Sequence, residues 1–230
     1  FNVGLASSCI INVNADGTIG LVEGNPDIGG TRASLAMQAA ETLGIRAEDV
    51  QPTVVDTDLI GYTYFTAGSR TTFATGWAAY EASQDVKRQM ITRAADIWEV
   101  TSDSIDLKDG IFHSTSDPEL KMSFKELAAK LADTGGPIMG RSTINPKGVG
   151  GSAAGCMVDV AVDRETGKVD VLRVTAFQDA GKAIHPSYVE GQMQGGSVQG
   201  IGWALNEEYF YDDSGDMTNG TFLDYRMPTS

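Results

Sequence analysis

Two glycine-rich runs, each placed directly before a segment of helical spacing, constrain this chain more than any other feature. The first run, residues 24–34, contains the glycine pair Gly29 and Gly30 followed by Thr31. The second run, residues 66–72, sets Gly68 among hydroxyl side chains and an arginine. Glycine turns expose backbone N–H groups, and a helix N-terminus adds a positive partial charge. Both runs therefore favour the binding of an anionic ligand such as a phosphate or a pterin.

Each run also has a purely structural interpretation. The first can be a strand-to-helix turn in which glycine supplies a positive φ angle. The hydroxyl groups of the second can cap the N-terminus of a long helix. The second run holds more hydroxyls than a cap requires, and Arg70 offers a planar fork that suits phosphate. The sequence leaves both interpretations open.

A third glycine-rich segment covers residues 191–202. Its pattern is helical, although each interior glycine costs a helix about 1 kcal/mol. Close approach of a flat ligand or of another backbone would explain this density, and close helix packing is the alternative. Residues 135–142 imitate the spacing of a phosphate-binding P-loop, but they follow a predicted helix instead of a strand. We therefore do not interpret them as a nucleotide site.

The periodicity of apolar residues predicts an α+β fold with layered mixed sheets and helices in two subdomains. A Gly/Pro-rich connector at residues 145–151 suggests a first subdomain at 1–144 and a second at 145–230. The predicted helices cover 31–43, 72–100, 123–131 and 186–205. The predicted strands cover 8–13, 18–23, 50–55, a small hairpin within 105–113, 152–163, 168–179, and a closing pair at 209–211 and 221–225.

Composition narrows the possible functions of the chain. The net charge of −14 over 230 residues gives no electrostatic footprint for nucleic acid or an anionic membrane. Cys9 and Cys156 lie far apart in apolar contexts, so we expect buried free thiols in a reducing, cytoplasmic compartment. The sequence contains no metal-ligand cluster and no apolar run that could span a membrane. The first residue is Phe1 and the last follows a strand-like run, so we expect a piece of a longer protein.

Taken in order, the motifs resemble the molybdenum-binding subunit of the xanthine dehydrogenase and aldehyde oxidase family. The resemblance covers essentially the whole chain, and its specificity lies in the order of separated blocks. The blocks are residues 27–31, 56–58, 66–72, 76, 178–186, 191–192, 196–202 and 224–229.

The resemblance implies a molybdopterin cofactor, typically in the cytosine dinucleotide form, and hydroxylation of a heteroaromatic or aldehyde substrate with oxygen from water. It implies iron–sulfur clusters and FAD on other domains or subunits, together with the other segments of the molybdenum subunit as partners. Gly68 matches a residue beside the metal's ligand sphere, and Gln199 matches a glutamine that reaches toward the metal. The residues implied to bind the cofactor are Gly29, Gly30, Thr31, Ala67, Gly68, Ser69, Arg70, Thr71, Thr72 and Gln199.

Two departures from the family pattern matter. Many members have Gly-Gln-Gly where this chain has Ile28, Gly29 and Gly30, so contacts with the pterin differ here. The family's catalytic glutamate follows the last block and is absent from these 230 residues. We therefore assign no catalytic residue and no metal ligand, and we predict no turnover by this chain alone. The alternatives are a non-catalytic scaffold or assembly subunit that retains the fold, and a generic nucleotide-phosphate-binding enzyme.

Overall fold

The computed structural model describes residues 4–228, so Thr229 of the last resemblance block and the remaining terminal residues lie outside it. The chain forms two compact units, residues 1–150 and 151–230, and the division falls within the predicted connector. The elements of the first unit are β1 (Ser7–Val13), β2 (Ile19–Glu23), α1 (Thr31–Leu43), β3 (Val50–Val54), α2 (Thr71–Trp98), β4 (Ile105–Lys108), β5 (Ile111–Ser114), β6 (Lys121–Ser123), α3 (Phe124–Lys130) and β7 (Met139–Ile144). Those of the second unit are β8 (Ala154–Val162), β9 (Val169–Gln178) and α4 (Pro186–Leu205).

A mixed four-stranded sheet, in the order β3-β2-β1-β7, carries the core of the first unit. β2 runs parallel to β3, and β1 runs antiparallel to both β2 and β7. Alternate side chains of β1, Cys9, Ile11 and Val13, are buried, as the period of a strand requires. They join one apolar cluster with buried residues of α1 and α2. The unit is therefore a helical layer on a sheet, and the predicted α+β class is confirmed.

The two helices of this layer follow the sequence prediction closely. α1 ends at Gly44, which has a φ of 69° and donates its N–H to the carbonyl of Ala40, as expected for a glycine C-cap. α2 continues through Gly76, where an added Cβ would clash with the Gln38 amide of α1. Glycine at this interior position thus allows the two helices to pack closely, which offsets its low helix propensity.

A second, three-stranded sheet in the order β4-β5-β6 leads into α3. The predicted capping box of α3 is confirmed, because Ser123 accepts from the Glu126 N–H at 3.2 Å and the Glu126 carboxylate accepts from the Ser123 N–H at 2.8 Å. Phe112 of β5 stacks on Phe124 of α3 with ring centroids 6.3 Å apart, and both rings are buried. This contact links the small sheet to the apolar cluster of the first unit.

The second unit is much more open. β8 and β9 form an isolated antiparallel pair, and every described side chain of β8 is exposed. In α4, which lies against β9, Gly202 is the buried residue. Cys156 is exposed on β8, so the expectation of a buried thiol is wrong there, although it is confirmed for Cys9. A two-stranded sheet has too few neighbours to cover its own faces.

The structure departs from the predicted strands in two places. Residues 139–144, for which the sequence analysis predicts no strand, form β7 at the edge of the large sheet, paired with β1. The closing strand pair at 209–211 and 221–225 is wrong, because the described residues there form an isolated bridge between Tyr211 and Met217. The Asn219 side chain holds this turn instead, since its Nδ2 donates to the carbonyl of Glu208 at 2.6 Å and its Oδ1 accepts from the Phe210 N–H at 3.0 Å.

Within residues 4–228, no helix has the length and apolar character needed to cross a membrane.

Candidate functional site

The first glycine run forms the N-terminus of α1, and a protein carboxylate already occupies that terminus. Gly29 and Gly30 have φ angles of 60° and 74°, so the predicted need for positive φ is confirmed. Asp27 accepts from the Arg32 N–H at 3.0 Å and from Arg32 Nε at 2.8 Å. The hydrogen bond from the Arg32 N–H is the main reason that the pKa of Asp27 lies below its usual value. This terminus therefore offers an added anion less free positive charge than the sequence suggests.

The second glycine run forms the N-terminus of α2, which is open. Gly68 and Ser69 adopt positive φ angles of 60° and 59°, and Arg70 occupies the N-cap position. No side chain caps the helix in the part of the chain that the structure describes, and its first turn contains no acidic residue. The interpretation of this run as a capping cluster is therefore wrong. The first N–H groups of a helix have no acceptor within the helix, so those of α2 are available to a ligand.

The side chain of Arg70 turns into the protein and is 2% exposed. Its Nη1 donates to the carbonyl of Tyr64 at 2.9 Å and to Asn25 Oδ1 at 3.3 Å. Its Nη2 donates to the carbonyl of Ala6 at 2.9 Å and to the Ser7 hydroxyl. The two terminal nitrogens, which the sequence suggested for a phosphate, are thus engaged by protein acceptors. Arg70 can act on a ligand through its backbone and its charge.

That charge is not neutralised by a carboxylate. Arg70 takes part in no ion pair among residues 4–228, and burial lowers the pKa of its guanidinium. Arg70 Nε and Thr71 Oγ1 are buried and have no hydrogen-bond partner among the described residues. A buried cation, two unsatisfied polar atoms and an uncapped helix N-terminus meet at one point. This arrangement fits a bound group that brings negative charge.

The other predicted site residues divide between the two units. Ala67 is half-buried, and Gly68, Ser69 and Thr72 are exposed near the start of α2. The two runs of the first unit lie close together, because Asn25 Nδ2 donates to Thr66 Oγ1 at 2.9 Å and Gln38 Nε2 donates to the Thr72 carbonyl at 3.3 Å. Gln199 is exposed on α4 in the second unit. The binding roles of these residues stay predictions.

Sequence reasoning missed two buried residues, Glu23 and Asn25, each 1% exposed. Glu23 ends β2, where Ile19 and Leu21 precede it on the buried face. This alternation was a usable signal, because it places a carboxyl group on the core side of the sheet. Burial is the main reason that the pKa of Glu23 is raised to about 7, and its Oε2 accepts the N–H of Asn25.

We predict that Glu23 makes the stability of the first unit depend on pH. The folded-state pKa of about 7 exceeds the usual 4.5, so the folded chain binds this proton more tightly than the unfolded chain. The Glu23 contribution is complete below about pH 4.5 and is lost as the pH rises toward 7, with a total change of about 2 to 3 kcal/mol. Glu23→Gln should remove this slope, because the glutamine amide carries no charge and its Oε1 can still accept the Asn25 N–H.

The measurement is urea unfolding of the wild type and the variant between pH 4 and pH 8. The difference in unfolding free energy between the two should favour the variant increasingly as the pH rises. Glu48→Gln, which replaces an exposed carboxyl group of the same unit, is the matched control and should show no such trend. A constant difference between wild type and Glu23→Gln across this range would contradict the prediction.

The described residues contain no group of three or more His, Cys, Asp or Glu side chains that could hold a metal ion. A cavity of about 540 Å³ in the second unit is lined by aromatic residues and by Glu207, whose Oε1 accepts from the Tyr225 hydroxyl at 2.6 Å. None of the predicted site residues lines this cavity. The candidate site is therefore the pair of helix N-termini of the first unit, away from this cavity of the second unit.

A helix-on-sheet unit with an open, positively charged helix terminus defines an α+β domain suited to an anionic ligand. The whole chain, residues 1–230, matches the model of the molybdopterin cofactor-binding domain. The chain therefore belongs to the molybdopterin cofactor-binding domain family, as the resemblance of its motifs indicated.

Curated relatives agree with this assignment. The chain is 34% identical over 229 residues to the putative xanthine dehydrogenase molybdenum-binding subunit of Escherichia coli, an alignment that covers 94% of this chain and 30% of that protein. It is 29% identical over 240 residues to the nicotine 6-hydroxylase large subunit of Paenarthrobacter nicotinovorans, covering 95% of this chain and 28% of that protein. The chain thus spans about 30% of the length of these relatives.

Solved structures share the fold. The quinoline 2-oxidoreductase of Pseudomonas putida 86 superposes with a TM-score of 0.86 at 27% identity, over 98% of this chain and 30% of that one. The CO dehydrogenase of Oligotropha carboxidovorans gives a TM-score of 0.89 at 25% identity, over 97% of this chain and 28% of that one.

Proposed function

We propose that this chain is the molybdopterin-binding part of a molybdenum hydroxylase that acts on a heteroaromatic or aldehyde substrate. The observation that carries the proposal is the uncapped N-terminus of α2 beside the buried guanidinium of Arg70, which has no carboxylate partner among residues 4–228. Support comes from the names of the relatives, which include a xanthine dehydrogenase molybdenum-binding subunit and a nicotine 6-hydroxylase large subunit. When bound, the cofactor would supply a molybdenum centre that activates water for hydroxylation.

The chain's own residues would bind and orient that cofactor. The N–H groups of the first turn of α2 and the exposed hydroxyls of Ser69 and Thr72 are donors for the phosphate-bearing tail. The charge of Arg70, held in a low-dielectric interior, would favour the anionic tail without direct contact by its fork. Gly29 and Gly30 would leave room beside the pterin. Gln199 belongs to the second unit and is proposed as a cofactor residue on the family resemblance alone.

The wider setting is proposed on the same basis. Relatives are named as subunits or large chains, and one is the gamma subunit of the 6-hydroxypseudooxynicotine dehydrogenase complex. We propose that this chain likewise works with further molybdenum-subunit segments and with iron–sulfur and flavin subunits. We also propose the cytosine dinucleotide form of the cofactor and a cytoplasmic location. Alone, the 230-residue chain should purify without stoichiometric molybdenum and should not turn over an aldehyde or a nitrogen heterocycle.

The proposed function is tested by a binding titration of the 230-residue chain with molybdopterin cytosine dinucleotide and with ATP, under anaerobic conditions. We expect saturable binding of the pterin dinucleotide in preference to ATP. Thr72→Asp should weaken this binding by about 10-fold or more, because a carboxylate in the first turn repels a phosphate group at the same terminus. The same carboxylate should stabilise the ligand-free helix by up to about 1 kcal/mol, which separates lost binding from lost folding.

Thr92→Asp places the same change at an exposed position far along α2 and should leave binding unchanged. Equal affinity for ATP would favour a generic nucleotide-binding enzyme. Absence of binding by the wild type would overturn the proposal in favour of a scaffold that retains the fold.

A further inference from the structure

The buried side chain of Asn25 uses all of its hydrogen-bonding capacity. Its Oδ1 accepts from Arg70 Nη1 at 3.3 Å and from the Thr75 hydroxyl. Its Nδ2 donates to Thr66 Oγ1 at 2.9 Å and to the carbonyl of Tyr64 at 3.4 Å. A carboxamide has two donor hydrogens and two acceptor lone pairs, so the four bonds satisfy it completely. Because a guanidinium can only donate, Arg70 also fixes which end of the amide faces α2.

These bonds connect the two glycine runs. Asn25 belongs to the first run, between β2 and α1, whereas Tyr64, Thr66 and Arg70 lead into α2. On its own side, the N–H of Asn25 is held by the buried carboxyl group of Glu23. The amide therefore bridges the end of β2 and the start of α2 through hydrogen bonds that are buried or partly buried.

The other polar links of this region do not provide the same bridge. Gln38 Nε2 reaches the Thr72 carbonyl at 3.3 Å, but this contact is exposed and starts from the middle of α1. Ser7 bonds Arg70 and Thr75 and thus joins α2 to β1, outside the first run. Asn25 is the side chain that joins the turn before α1 to the loop before α2 inside the core.

We infer that Asn25 is a positioning residue that fixes the two glycine runs relative to each other, so that both are preorganised for the cofactor. The inference rests on the proposed function for its ligand. A rigid arrangement of the two runs reduces the conformational entropy that is lost when the ligand binds. This gain in affinity disappears if either run moves independently. The coupling should therefore be reciprocal, since a change in one run must loosen the other.

The test is amide hydrogen exchange of the 230-residue chain, combined with titration by molybdopterin cytosine dinucleotide. Asn25→Ala should speed exchange at Ala74, whose N–H donates to the Arg70 carbonyl. Thr66→Val should speed exchange at Thr31 and Ala33, whose N–H groups donate to the carbonyls of Ile28 and Gly30 in the first run. Each change should be about 10-fold or more. Both variants should weaken dinucleotide binding by about 10-fold. Thr66→Val keeps the shape of the side chain and removes one of the two acceptors of Asn25 Nδ2, so it remains informative if Asn25→Ala fails to fold.

Thr63→Val is the matched control, because the Thr63 hydroxyl lies in the same loop but accepts from the Ser8 N–H of β1. It should change neither exchange at Thr31 and Ala33 nor binding. Exchange changes confined to the substituted run would overturn the inference, as would unchanged affinity in a Thr66→Val chain whose exchange is altered. Failure of the wild type to bind the dinucleotide is a different result, because it overturns the proposed function. The exchange comparison would still show whether Asn25 couples the two glycine runs.

Discussion

Replacement of Arg70 by methionine is expected to lower the unfolding free energy of the ligand-free first unit by about 3 to 5 kcal/mol. The guanidinium donates to two main-chain carbonyls, those of Ala6 and Tyr64, and to the side chains of Ser7 and Asn25. Methionine fills a similar volume and donates nothing, so each of these acceptors would lose one of its hydrogen-bond partners and keep another. A hydrogen bond to a charged group is worth about 1.5 to 3 kcal/mol, and four such bonds would be lost while the cost of burying the charge is removed.

Urea unfolding followed by tryptophan fluorescence measures this change, since Trp77 and Trp98 both belong to the first unit. Arg70→Lys should be almost as unstable, because an ammonium group cannot reproduce the planar fork. Arg32→Met is the matched control, because Arg32 pairs with Asp27 at the surface and its loss should cost less than about 1 kcal/mol. If Arg70→Met lowers the unfolding free energy by less than 1 kcal/mol, the guanidinium contributes little to the stability of the fold and its role is to bind a ligand.

The second large effect concerns the two units of the free chain. Amide exchange in β1, β7 and α2 should be at least about 100-fold slower than in β8, β9 and α4. The sheet of the first unit has four strands covered by helices, whereas β8 and β9 form a two-stranded sheet in which the side chains of β8 are exposed and those of β9 are exposed or half-buried. Two-stranded sheets are marginal in water, and α4 carries five glycines that weaken it further.

Hydrogen exchange with mass spectrometry resolves these segments in a single experiment, with the unfolded chain in urea as the reference. Protection of β8 and β9 equal to that of α2 would contradict the prediction. Exposed Met157, Val158 and Leu172 show that both strands carry apolar side chains without cover among the described residues. If the assembly proposed above covers these side chains, the protection of this pair should rise in it.

Much of the fold could be predicted because its signals are local. The Asp-Gly turn between β1 and β2, the glycine that ends α1 and the capping box of α3 each act through neighbours a few residues away. β7 escaped prediction because apolar and polar residue types do not alternate along it, although the burial of its side chains does. It is a strand through its pairing with the free edge of β1. The predicted strands at 209–211 and 221–225 contain the aromatic side chains that are typical of strands. Their backbones do not pair, because the Asn219 side chain bonds the main chain of Glu208 and Phe210 instead.

For the candidate site, the sequence proposed residues but did not show where their side chains lie. The ordered set of motifs along the chain indicated the family, and those around Gly30 and Arg70 placed glycine and hydroxyl groups at two helix N-termini. The sequence did not reveal that Asp27 closes the terminus of α1 while that of α2 stays open. Both outcomes depend on where a side chain turns after the backbone has folded.

The sequence by itself determined most of the elements, the family and the candidate residues, because turns, caps and periodicity depend on contacts between near neighbours in the chain. Only the tertiary structure decided that the guanidinium of Arg70 donates to acceptors inside the protein and that Asn25 and Glu23 are buried near it. The physical reason is that burial and hydrogen-bond partnership arise between residues far apart in sequence, such as Asn25 and Arg70. Desolvation then makes those distant partnerships strong enough to fix which polar group faces inward.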